Sequence, residues 1–166
     1  AKAEHSIFDQ SLLLMLDDLS FEAPDNQQDI ISKLVEIADT AYTQGQIFQD
    51  PALLNWMITL QEKLVNTGLV GKANGLADIV RTVNRELHSG QPKDFDIPSS
   101  ASGVAQTLLQ YQSSHRPDDL WHFVTKEYQK SLLWLQMTSG DNQHTSEVVA
   151  WVENYINENP APADIK

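Results

Sequence analysis

No unbroken apolar run in this chain exceeds five residues, and Leu12 to Leu16 is as long as any. A helix that crosses a bilayer needs about 20 apolar residues, so no stretch here reads as a transmembrane span. The apolar side chains are instead spaced to bury one face at a time, and most of that spacing is helical. After the breaker and cap signal Pro24-Asp25-Asn26, Ile30, Ile31, Leu34, Val35, Ile37, Ala38, Ala41 and Tyr42 predict an amphipathic helix over 27–44, ending near Gly45. Asp50-Pro51 predicts the next start, with Asp as N-cap and Pro in the first helical position. Leu53, Leu54, Trp56, Met57, Leu60, Leu64 and Val65 give that helix its apolar face, and Gly68 stops it. Further helices are expected from Asn74 to Gly90, from Ser100 to Gln112, and around Val148 to Ile156, closed by Asn159-Pro160.

Strand signals are shorter. Leu69–Ala73 reads as a strand. Leu120–Val124 and Ser131–Met137, separated by Thr125–Lys130, read as a hairpin. Ser11–Leu16 is ambiguous, because its length suits a buried strand while Leu and Met suit a helix. Four or five helices with three or four short strands give an α+β class and a single domain over 1–166, with a loose tail at 161–166.

Composition removes several functions. The chain has 166 residues with 11 Lys plus Arg against 23 Asp plus Glu, a net charge of −12. Phosphate backbones and anionic lipid surfaces repel such a chain, so nucleic-acid binding is not expected. The excess is uneven: residues 1–50 hold ten acidic and two basic side chains. With no Cys, there is no thiolate catalysis, no Cys-based zinc site and no disulfide. The chain lacks an initiator Met and a signal-peptide pattern, and reads as a soluble acidic piece of something longer.

Candidate chemistry is sparse. His115, Asp118, Asp119 and His122 form the densest group of metal-ligand types, but their spacing follows no standard ligand pattern and Pro117 interrupts any helix that would align them. Ser113 and Ser114 lie beside His115, and Ser139 near His144, without the Gly-x-Ser-x-Gly turn of a nucleophile elbow. The glycines of Gly68–Gly75 miss the dinucleotide spacing. Asp17-Asp18 and Asp118-Asp119 read as solvated turn residues. Of the four tryptophans, Trp56 and Trp151 fall in helical apolar stripes that suit a core, while Trp121 and Trp134 fall in the expected hairpin.

From about Phe48 to 160 the order of these signals resembles a known family. Phe48-Gln-Asp-Pro-Ala-Leu-Leu54 is similar to the start of the family's first porter helix, and Val70 to Gly90 is similar to its next block. Ile97-Pro-Ser-Ser100, then Val104 to Gln112, Asp119-Leu-Trp-His-Phe-Val-Thr125 with Tyr128, and Trp134-Leu-Gln-Met-Thr-Ser-Gly-Asp-Asn142 complete the series. Together they resemble the periplasmic loop of exporters of the resistance-nodulation-division (RND) superfamily, in the branch near the large mycobacterial membrane proteins.

The resemblance implies a ferredoxin-like porter subdomain, a small antiparallel or mixed sheet covered by helices on one face. Ser11–Leu16 would be its first strand, with Asp9-Gln10 where the family has a small Gly-containing turn. Residues 27–47 would be a helical insertion, an extra N-terminal helix. It further implies an extracytoplasmic location at the inner membrane, in the second of two large loops. Partners would be the flanking membrane helices, the other loop, and further copies in a homo-oligomer. Function would be conformational gating of a path for hydrophobic or amphiphilic molecules in proton-driven export. No catalytic residue, metal or cofactor is implied, and the proton relay belongs to membrane helices outside this chain. Trp121, Phe123 and Trp134 are the expected substrate-path residues, against the competing reading that they fill the core. The alternative function is a freestanding acidic interaction domain with a helical groove.

Overall fold

A computed structural model describes residues 10–22 and 24–162, which form an α+β fold that is mostly helical. The chain divides between Gln46 and Ile47 into two units, each packed within itself.

In the first unit, α1 (Gln10–Glu22) packs against α2 (Asp25–Gly45). The strand that the resemblance implies at Ser11–Leu16 is thereby corrected: the whole run lies inside α1. Gln10–Glu22 contains no β-branched residue, and unbranched Leu and Met keep most of their rotamer freedom in a helix. Leu13 and Leu16, three residues apart, are half-buried on one side of α1. On α2, Ile31 and Val35 are half-buried and Ala38 is buried. Asp9, of the expected Asp9-Gln10 turn, lies outside the described residues, as do residues 163–166 of the tail.

The second unit is built around α3 (Pro51–Asn66). Asp50 is extended, and its carboxylate accepts the Ala52 N–H at 2.8 Å, with Pro51 in the first turn. The helix ends at Gly68, whose φ of +79° is open to glycine at little cost. Beyond it come β1 (Val70–Asn74), α4 (Leu76–Leu87), α5 (Ala101–Gln112), β2 (Trp134–Met137) and α6 (Asn142–Glu158). Gly75, rather than Asn74, caps α4: the Asp78 carboxylate turns back to accept the Gly75 N–H at 2.8 Å and the buried Gln61 amide at 2.9 Å. The Ser100 hydroxyl caps α5 by accepting the Gly103 N–H at 3.1 Å.

Two strands form among the described residues, fewer than the three or four expected. β1 and β2 pair antiparallel, from Val70 opposite Met137 to Asn74 opposite Trp134. The hairpin expected between Leu120–Val124 and Ser131–Met137 shrinks to one bridge, Val124 to Ser131. Pro117–His122 instead winds into a 3-10 turn, for which Pro117 presets the backbone angle. Within the tight loop that remains, the Thr125 N–H donates to the Lys130 carbonyl at 2.9 Å, and Tyr128 sits in the left-handed region at φ +53°. Trp134–Met137 is thus free to pair with β1.

α3 has two apolar faces because it serves two clusters. Leu53, Leu54 and Met57 pack with Leu76, Ala77 and Val80 of α4, Val104 and Leu108 of α5, and Leu120, Val124 and Tyr128. About two turns further along, Leu64 joins Val70 and Val148, with Leu135, Met137, Trp151 and Val152 around them. Trp56 ties α3 to the end of α6 by donating its Nε1–H to the Asn159 carbonyl at 2.9 Å, and Tyr155 stacks on Trp151 at 5.2 Å between centroids. Ala161, in the expected loose tail, packs against the larger cluster.

Candidate functional site

A groove of about 550 Å³ opens in the second unit between α4, the end of α5, the Pro117–His122 turn and the start of β2. α4 supplies its floor. Leu76, Ala77 and Val80 point into the core, so the next positions round the helix, Ile79 and Val83, are left half-buried beneath open space. Phe123 and Trp134 form apolar walls, and Tyr111 contributes an aromatic wall from the last turn of α5. Trp134 opens β2, where side chains alternate sides of the sheet: Leu135 and Met137 enter the smaller cluster, while Trp134 stays 57% exposed. Its indole Nε1–H donates to the His122 carbonyl at 3.3 Å, which fixes the ring across the groove mouth.

Polar groups are few. Asn74, Asp78, Thr82, Asp119 and His122 reach the lining. Asp78 is already committed to the cap of α4 and to Gln61, and the Thr82 hydroxyl donates to the Asp78 carbonyl at 2.7 Å. Burial holds the Tyr111 hydroxyl in its protonated form above the usual tyrosine range; the Asp119 carboxylate adds to this and Arg116 opposes it. The groove thus presents apolar and aromatic side chains with acidic and hydroxyl groups among them.

Two of the three expected path residues, Phe123 and Trp134, come together here. Trp121 does not: it is half-buried against the larger cluster and meets Tyr128 edge-on, with centroids 6.2 Å apart. Sequence reasoning missed Ile79, Val83 and Tyr111, because an apolar i, i+4 pair on a helix reads as core whether or not anything covers it.

Of the other candidates, Ser139, His144 and the glycines are taken up by the fold. Among the described residues no three His, Asp or Glu gather where a metal ion could be held. Ser139 donates to Asp141, the Asp141 carboxylate accepts the His144 N–H at 2.7 Å, and His144 Nε2 lies 2.7 Å from the Leu69 carbonyl. These bonds start α6 and fasten it to the residue before β1. Gly68 ends a helix, Gly71 lies in β1 and Gly75 caps α4, so these glycines are distributed over three elements. Asp17 and Asp18 are exposed on α1. Arg81 and Arg85 lie over the Phe95 ring at 4.1 and 5.4 Å and close the loop after α4.

Comparison of the chain with protein-family models, with curated proteins and with solved structures returned no match. The fold and the groove therefore define a class only: an α+β chain with an open, largely apolar cleft.

Proposed function

We propose that residues 47–166 act as a porter domain on the extracytoplasmic side of an RND-type exporter, with the groove forming part of the path for hydrophobic or amphiphilic molecules. The observation that carries this reading is the groove itself, whose volume and largely apolar and aromatic lining suit an acyl or aromatic segment. A second feature supports it. β1 and β2 pair antiparallel, and α3 before β1 and α6 after β2 share one cluster, which resembles the middle of a ferredoxin-like βαββαβ repeat with α4 and α5 inserted between its two strands. α2 is then an addition to that repeat. The work is conformational and needs no covalent step. Movement of the Pro117–His122 turn and Trp134 relative to α4 would open or close access. Proton coupling, the other loop and any homo-oligomer contacts belong to the rest of the exporter.

The direct test is binding of a lipophilic fluorescent naphthylamine probe to the chain. Trp134→Ala and Phe123→Ala are expected to weaken binding by roughly tenfold each, the scale of losing one well-packed aromatic contact. Trp121→Phe, a change within the core, leaves it unaltered. Equal binding by all variants would overturn the assignment of the path. An open reading frame with stop codons close to both ends would overturn the exporter itself, since membrane helices have to flank the domain.

A further inference from the structure

α2 carries two apolar stripes, and α1 covers one. Ile31, Val35 and Ala38 face inward. Ile30, Leu34 and Ile37, spaced i, i+4, i+7, form the second stripe and stay 62%, 47% and 59% exposed. Single exposed apolar residues are ordinary, but three in register on one helix form a continuous strip of the kind that marks an interaction site. On α1, Leu14, Met15 and Leu19 are exposed as well.

Charge identifies the occupant. Residues 10–46 hold seven carboxylates and one cation, Lys33. A second copy would bring the same sign of charge to the contact, and an anionic membrane surface would be repelled. A helix with apolar anchors at matching spacing and Lys or Arg around them satisfies both features at once. We propose that the Ile30–Leu34–Ile37 stripe docks a basic amphipathic helix of a partner protein. Polypeptide helices of this kind bind by apolar anchors and are oriented by the surrounding charge, so the stripe sets affinity and the carboxylates set partner choice. The surface lies in a different unit from the groove, and its test is independent of the porter reading.

The probe is a synthetic fluorescent peptide of about 18 residues, long enough to form a helix on the surface, with Leu at i, i+4, i+7 and Lys elsewhere. A counterpart carries Glu for every Lys. Both are titrated against the whole chain. The basic peptide should bind, and Ile30→Gln with Ile37→Gln should weaken it roughly tenfold or more. Added salt should weaken it too, and the acidic peptide should not bind. Leu109→Gln on α5 removes another exposed leucine and controls for general stickiness; it should change nothing.

Equal binding of the acidic peptide, or full binding by the double variant, overturns the proposal. So does dimerisation of the unmodified chain that the double variant abolishes, which would make a second copy the occupant. A lower unfolding midpoint for the double variant without peptide would place the stripe under cover within the chain and overturn it as well.

Discussion

At the scale of single residues, Asp141 shows how a capping carboxylate ties stability to pH. One of its oxygens accepts from the Ser139 hydroxyl and the other from the His144 N–H. Both bonds favour the ionised form, the serine more than the backbone amide, and hold the carboxyl below its usual range. Ser89 does the same for Asp94. A folded pKa below the unfolded one means the stabilisation is present above the ordinary carboxylate range. It is lost as pH falls through the folded pKa. Carbon-detected NMR titration should therefore find both groups below their unfolded reference. Ser139→Ala should move Asp141 upward and leave Asp94 unmoved. An Asp141 that titrates at its reference value in the unmodified chain would remove the capping argument. Tyr128 is the opposite case, a non-glycine residue at φ +53° whose conformation is fixed by its surroundings: its hydroxyl accepts from the Gln112 amide at 2.7 Å and its carbonyl from the Phe48 N–H at 3.1 Å.

At the scale of elements, termini are set by local chemistry and pairing is not. Gly68 has open space where a Cβ would stand, so Gly68→Ala should cost only the left-handed backbone penalty, about 1 kcal/mol. Urea unfolding measures it, and a loss several times larger would mean that the turn between α3 and β1 has rearranged. Such termini were legible because Asp50-Pro51, Ser100 and Gly68 carry their reason in the residue itself. The Leu12–Leu16 run was not legible as a helix, since five apolar residues in a row fit both periods and Asp17-Asp18 ends the pattern before either repeats. Nor was the partner of Trp134–Met137. Proximity along the chain pointed to Leu120–Val124, whereas the backbone bonds go to Val70–Asn74. The groove was half legible: Phe123 and Trp134 could be picked out as aromatics outside helical stripes, while Ile79 and Val83 could be told from core only once the space above α4 was known to be open.

At the scale of the whole molecule, the two units differ in what holds them. All four tryptophans lie in residues 47–166, where two apolar clusters pack around α3. Among the first-unit residues whose burial is described, Leu13, Leu16, Ile31 and Val35 are half-buried and Ala38 is buried. A pair of helices has less surface to bury than a unit built from α3 to α6 and a sheet, and so less to offset its chain entropy. In urea, far-UV circular dichroism should therefore start to fall before tryptophan emission changes. Coincident transitions would show that the chain unfolds as one cooperative body. The sheet has a kinetic consequence as well. Asn74 and Trp134 are paired across a loop of some sixty residues that contains α4 and α5. Closing so long a loop is entropically uphill until the intervening helices have shortened it. α4 and α5 therefore fold onto α3 before β1 and β2 pair. The wall of the groove that carries Trp134 thus assembles after the floor that α4 supplies, and it can come away while that floor persists.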